Sequence, residues 1–182
     1  AQKWTLLETE KTLYSIMGKT NVSVSQMVKF YKNKATVSYP YSNVSEAPTI
    51  EKFCQIYKEE SEVEGVKAEV AFAQAMMETG FLKFGGDVKK DQYNFAGIGA
   101  IGGGSSGAKF DSIRIGIRAH VQHLKAYASK EALKQPVVDP RFQYVKRGSA
   151  EYVQWLGQKE NPNGYGWATA KNYGNNLSLI HI

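Results

Sequence analysis

The run Ala71-Phe-Ala-Gln-Ala-Met-Met-Glu78-Thr-Gly80 constrains this chain most. Its first positions are almost all apolar or small and favour helix. It reads as a helix buried nearly all round, stopped by Gly80. One carboxylate, Glu78, falls in the last turn. Apolar neighbours resist its ionisation, and the negative end of the helix dipole repels its charge. Both effects raise its pKa, which suits a general acid working near neutral pH. A last-turn glutamate pointing into water is the other reading, and the run alone leaves both open.

The totals narrow the surroundings. A chain of 182 residues supports one core. Its 42% hydrophobic and 22% charged residues exclude disordered and fibrous classes. No apolar run approaches a membrane span. The opening Ala1-Gln-Lys-Trp-Thr5 lacks a secretory signal pattern, which leaves a cytosolic protein, a processed one or a piece of a longer chain. The net charge of +6 favours anionic partners: nucleic acid, anionic lipid or anionic cell-wall polymers. Lys and Arg are scattered with no basic block, so nucleic acid is not expected as a partner. The single Cys54 permits no internal disulfide, and His120, His123 and His181 are too few for a structural zinc site.

Residues 1–22 are polar with scattered apolar anchors, Trp4, Leu6, Leu7, Leu13, Ile16 and Met17. Ser23 and Gln26 form a capping-box pair, predicting a short helix from Val24 to about Tyr31. Residues 32–48 hold Pro40 and Pro48 and read as loop. Residues 1–48 are therefore expected as an arm packed on a main domain of residues 49–182. Thr49 caps a helix whose stripe is Ile50, Phe53, Cys54 and Tyr57. Glu59, Glu60, Glu62 and Glu64 crowd its end and read as a solvated acidic face. Gly65 breaks it, and the central helix follows from about Lys67 to Thr79.

Gly85-Gly86-Asp87 marks a turn. The stretch from Tyr93 to Gly107 contains Gly97-Ile-Gly99-Ala-Ile-Gly102, a literal dinucleotide fingerprint. That motif needs a buried strand before it and a helix directly after it, and neither is present. A flexible β-hairpin lobe fits better. Ile113, Ile117, Val121, Leu124 and Ala128 stripe a helix from about Ser112 to Ser129. His120 and His123 lie on it at i, i+3, with no third ligand indicated for a metal. Ser149 is placed as the cap of a helix to about Gln158, and Ala168 to Leu177 as a last short helix. Between them Asn161-Pro-Asn-Gly-Tyr165-Gly-Trp167 is a turn rich in sugar-stacking aromatics. Helical segments around one small Gly-rich lobe describe a mostly α-helical α+β domain.

In four places, in order, the chain resembles the glucosaminidase family of bacterial peptidoglycan hydrolases, the family 73 glycoside hydrolases, and especially clostridial autolysin domains. Gln74-Ala-Met-Met-Glu78-Thr-Gly80 matches the family's Gln-Ala-x-x-Glu-Ser/Thr-Gly. Asn94-Phe-Ala-Gly97-Ile98 resembles its Asn-Leu-Phe-Gly-Ile stretch. Gly116-Ile-Arg-Ala-His-Val-Gln-His-Leu124 resembles the helix after its lobe. Trp167-Ala-Thr169 with Tyr173-Gly174 resembles its Tyr-Ala-Thr…Tyr ending. The Ser15-Ile-Met-Gly18 arm looks like an extension of the clostridial branch.

The resemblance implies a lysozyme-like fold with a small Gly-rich β-lobe and Glu78 as the catalytic acid. It implies a cleft lined by Asn94, Phe95 and Tyr173, beside the aromatics Tyr165 and Trp167. The implied activity cuts the β-1,4 bond after N-acetylglucosamine in peptidoglycan, outside the cell, in the wall. No cofactor, no metal and a monomer are expected. Many relatives carry a second acid on or just after the lobe. Here Arg114 and Ile115 stand in that region, and Asp111 is the nearest carboxylate. That leaves Asp111 activating water, or substrate assistance by the N-acetyl oxygen, which needs only one enzymic carboxylate. A muramidase or lytic transglycosylase on the same fold is one rival, and a wall-binding module without turnover is the other.

Overall fold

The computed structural model describes residues 12–177, 179 and 182. Trp4, Leu6, Leu7 and His181 lie outside them. Among the described residues four α-helices carry the fold: α1 (Val24–Lys34), α2 (Ile50–Glu64), α3 (Ala68–Thr79) and α4 (Ile113–Ala128). None is long and apolar enough to cross a membrane. Short 3-10 turns sit at Lys90–Gln92, Phe142–Tyr144, Val153–Leu156 and Asn175–Leu177.

The helix starts follow their caps. Ser23 Oγ accepts from Gln26 N at 3.1 Å while Gln26 Oε1 accepts from Ser23 N at 2.8 Å, the capping box the sequence predicts. Thr49 caps α2, and Ser112 caps α4. The Glu46 carboxylate adds to α4, accepting from Ile113 N at 2.8 Å and Arg114 N at 2.9 Å. Gly65 and Gly80 end α2 and α3 in the left-handed region, at φ 73° and 60°.

Helix α2 packs against α1, α3 and α4. α3 is buried from Ala68 through Met76, as expected of the central helix. One apolar core joins Ile16, Met27 and Phe30 to Phe53, Phe72, Leu124 and Leu156.

Where strands were expected, the described residues hold only isolated bridges. The Gly-rich stretch is a series of turns with one bridge, Gly102 to Ser105. Gly97, Gly99, Gly102, Gly103, Gly104 and Gly107 all take positive φ. Each reverses the chain before a two-stranded ladder can extend.

Two expected helices are also absent. Residues 149–152 are not helical, and the N-terminal segment claims backbone groups at Glu151 and Val153. Ile16 N donates to Glu151 O at 3.0 Å, and Val153 N donates to Tyr14 O at 2.8 Å. Only the turn Val153–Leu156 is helical there. Ala168 bridges to Gly157 and residues 171–174 are turns, with Asn172 at φ 59°. A Cβ at Gly174 would lie 2.2 Å from Val153 O, so the backbones touch directly.

The acidic end of α2 is only partly a solvated face: Glu62 is exposed and Glu59 half-exposed. Glu60 and Glu64 are buried. Glu60 pairs with Arg114 at 3.2 Å and with Arg118 at 2.5 Å. Glu64 pairs with Lys125 at 3.0 Å, both side chains fully enclosed. Long cations on α4 reach across to α2, and opposite charge close by makes their burial tolerable.

Gly116 sets how closely the segment after Tyr93 lies on α4. A Cβ there would sit 1.8 Å from the Tyr93 carbonyl oxygen. Gly116→Ala is therefore expected to destabilise the fold by about 1–3 kcal/mol through overpacking. Chemical denaturation reads it, and an unchanged midpoint would show that the segment moves aside freely.

Candidate active site

Glu78 ends α3 at the wall of a cavity of about 500 Å³. The loop that follows it supplies Lys83, Phe84 and Asp87 to the same cavity, and the Gly-rich stretch supplies Asn94, Gly97 and Ala100. That loop is held in an uncommon form. Phe81, Leu82 and Phe84 take φ of 55°, 63° and 59°, a region that costs a non-glycine residue energy. Thr79 stabilises it: its hydroxyl donates to Ala75 O at 2.7 Å and accepts from Leu82 N at 3.0 Å.

A second cavity of about 180 Å³ shares Gly97 with the first. Its lining includes His123, Tyr127, Arg141, Tyr144 and Trp167. Gly97 borders both cavities, and Glu78 Oε2 faces that glycine, 3.6 Å from where a Cβ would stand. The absence of a side chain at Gly97 thus keeps the carboxyl open along the cleft.

Solvent reaches Glu78 from the cleft, yet burial of its carboxyl raises the pKa above the ordinary carboxylate value. Tyr173 opposes that rise, because its hydroxyl donates to Glu78 Oε1 at 2.5 Å. Burial, with the Glu78 charge beside it, pushes the Tyr173 hydroxyl well up, so it stays a neutral donor. Glu78 is thus an acid that holds its proton to higher pH than usual, the property a general acid needs.

Behind Tyr173 runs a buried chain of hydrogen bonds. Gln74 Nε2 donates to Tyr173 Oη at 3.0 Å, His120 Nε2 meets Gln74 Oε1 at 2.8 Å, and Tyr57 Oη meets His120 Nδ1 at 2.9 Å. Burial lowers the His120 pKa to about 3, with His123 adding to the effect, so the ring is neutral. The two histidines do not share a ligand site. His123 pairs with Asp139 at 2.7 Å and stacks edge-on against Trp167 at 4.7 Å.

The other expected site residues separate. Phe95 is fully buried and packs 5.1 Å from Phe53, so it anchors the core rather than lining the cleft. Asn94 borders the Glu78 cavity, but its amide serves the backbone. It accepts from Ala96 N and Ile98 N and donates to Ile98 O and Ala108 O. That uses its full hydrogen-bonding capacity, leaving none for a sugar. Trp167 lines the second cavity. Tyr165 is exposed, with Lys146 Nζ 5.6 Å from its ring centre.

Asp111 is exposed and lines neither cavity. The carboxylate that shares the Glu78 cavity is Asp87, which accepts from Gly104 N at 3.3 Å. In the sequence Asp87 shows only as a turn residue. Gln74 did leave a signal: it is the polar residue inside an apolar helix, four positions before Glu78 and so on the same face. Among the described residues no three His, Cys, Asp or Glu side chains converge as a metal site would need.

A protein of Borreliella burgdorferi (strain ATCC 35210 / DSM 4680 / CIP 102532 / B31), described as "Uncharacterized protein", is 48% identical over 124 residues. The match covers 68% of this chain and spans 57% of that relative's length. The family model for glucosaminidase, described as mannosyl-glycoprotein endo-beta-N-acetylglucosaminidase, matches residues 54–181. The match includes the acid at the end of α3, the glycine opposite it and Tyr173, and the chain belongs to this glucosaminidase family of endo-β-N-acetylglucosaminidase glycoside hydrolases.

Proposed function

We propose that the protein cuts the β-1,4 bond after N-acetylglucosamine in peptidoglycan, on a lysozyme-like fold, with Glu78 as general acid. The observation that carries this is the Glu78 carboxyl, its pKa raised, facing a cavity that shares Gly97 with a second one. Neutral Glu78 gives its proton to the glycosidic oxygen as the bond from that oxygen to C1 breaks. The N-acetyl oxygen of the same sugar then closes on C1. Water opens the ring so formed, and its proton returns to Glu78. Lys83 on one cavity and Arg141 on the other suit a glycan that bears carboxylates, as muramic acid does. Such a substrate puts the work in the cell wall, so we read the protein as a secreted autolysin acting as a monomer.

Mass spectra of digested walls test the bond. Reducing-end N-acetylglucosamine is expected. Reducing-end N-acetylmuramic acid, or its anhydro form, would make the enzyme a muramidase or transglycosylase instead. Asp87 favours a second route, in which it activates water across the cavity and the product is inverted. NMR of the first-formed anomer separates them: retention for N-acetyl participation, inversion for Asp87.

Tyr173 should matter more than Asp111. Its hydroxyl is engaged by Glu78 and Gln74, rather than free for the substrate's N-acetyl group, so its effect runs through the acid. Tyr173→Phe is expected to lower kcat clearly, while Asp111→Asn, at an exposed position off the cleft, stays near wild type. Steady-state rates of both folded variants decide it. The reverse order would return the second-carboxylate role to Asp111.

A further inference from the structure

Tyr57, His120 and Gln74 do not touch the cleft, and the chain they form has a direction. Tyr57 Oη is buried, and His120 Nδ1 is its hydrogen-bond partner among the described residues. A buried hydroxyl that only accepts leaves its own proton unmet, which is costly. Tyr57 therefore donates to Nδ1. The neutral imidazole then carries its proton on Nε2 and donates to Gln74 Oε1. That turns the Gln74 amide so that Nε2 donates to Tyr173 Oη. Tyr173, its oxygen already accepting, donates to Glu78 Oε1. Run backwards, the chain would strand the Tyr57 proton in the core.

We propose that Tyr57, His120 and Gln74 are positioning residues that lock Tyr173 as a donor to Glu78 Oε1. The transferable proton of the neutral acid is thereby held on Oε2, the oxygen facing Gly97 and the cleft. This rests on Glu78 being the proton donor. Without the chain, Tyr173 can turn and accept from Oε1, and the proton is drawn away from the substrate side. The groups facing Glu78 are Lys83 and Asp87 on the cavity wall and Tyr173 from the C-terminal turns. Asn94, Gly97 and Ala100 opposite bring no ionisable side chain. Tyr57→Phe replaces none of these and adds or removes no charge beside Glu78.

The test is a double-mutant cycle of Tyr57→Phe and Tyr173→Phe, read by the pH profile and by ¹³C NMR titration of the Glu78 carboxyl. A hydrogen bond to the ionised form lowers a carboxyl pKa, so loosening it raises that pKa. The acid must be protonated to work, so the alkaline limb of kcat/KM moves to higher pH. In Tyr57→Phe we expect that limb and the NMR midpoint to rise by about half a unit or more. We also expect kcat to fall roughly threefold or more with KM unchanged. In the Tyr173→Phe background the same change should do nothing further, because the chain is already cut. Gln74→Met breaks it nearer the acid and should shift both readouts more, and Tyr57→Phe decides alone if that variant does not fold. A folded Tyr57→Phe with an unmoved midpoint overturns the proposal, as does an equal shift in both backgrounds. The titration is read without turnover, so it stands apart from the functional reading. Loss of that reading shows instead as a Glu78→Gln variant that still lyses walls.

Discussion

Glu78→Gln is expected to abolish wall lysis and leave the fold intact. The amide keeps the shape of the carboxyl and still accepts from Tyr173 through its oxygen. It cannot give up a proton to the glycosidic oxygen. General acid catalysis typically contributes about 10²–10⁴-fold, and a loss in that range is expected here. Clearing of a suspension of purified walls measures it, with circular dichroism as the check on folding. Activity above about a tenth of wild type would remove Glu78 from the acid role, since a loss of less than about tenfold is smaller than a general-acid contribution of the usual size. Wall binding without clearing by the wild-type protein would favour a binding module that has lost turnover.

Lys125→Met is expected to destabilise the protein by about 3–5 kcal/mol, the usual effect of removing one partner of a buried ion pair. Glu64 would keep a charge with no water and no cation beside it. Its oxygens also accept from Lys134 N at 2.9 Å and Gln135 N at 3.1 Å, so neutralising it by protonation weakens those bonds too. Lys125 Nζ donates in addition to Ala132 O at 3.0 Å, which methionine leaves unpaired. For the same reasons a double replacement by apolar residues should recover only part of the loss. Urea midpoints of the wild type and the two variants measure this. A Lys125→Met loss below about 1 kcal/mol, the size typical of exposed pairs, would show that water reaches Glu64.

What the sequence made legible follows from how local each signal is. The Ser23 and Gln26 box, Thr49 and the stop at Gly80 each act within one helical turn, and the structure uses every one. The stretch after Ser149 carries a comparable cap signal and fails, because Tyr14 and Ile16 take its backbone bonds from far away in sequence. The charges at the end of α2 were misread for a similar reason: their partners lie on α4. In the site, Glu78 stood out because its own helix makes it unusual. Phe95 resembled a cleft residue by motif, yet its ring goes to the core, against Phe53 and Tyr57. Asp87 and His120 carry no local mark. A strained loop brings one to the cavity, and one hydrogen bond at each ring nitrogen gives the other its place.

The shared core also bears on how such a domain can be passed between proteins. The family match begins at residue 54. The packing begins earlier: Ile16, Met27, Phe30 and Tyr41 fill the interior, and Glu46 satisfies the first amides of α4. A segment exchanged at residue 54 would leave behind its own inner lining and present an open apolar face to water, an invitation to self-association. The portable unit, the piece that gene rearrangement can transplant and still have fold, therefore reaches back at least to the residues that pair with Glu151 and Val153. Recognisable ancestry and physical self-sufficiency have different boundaries in this molecule.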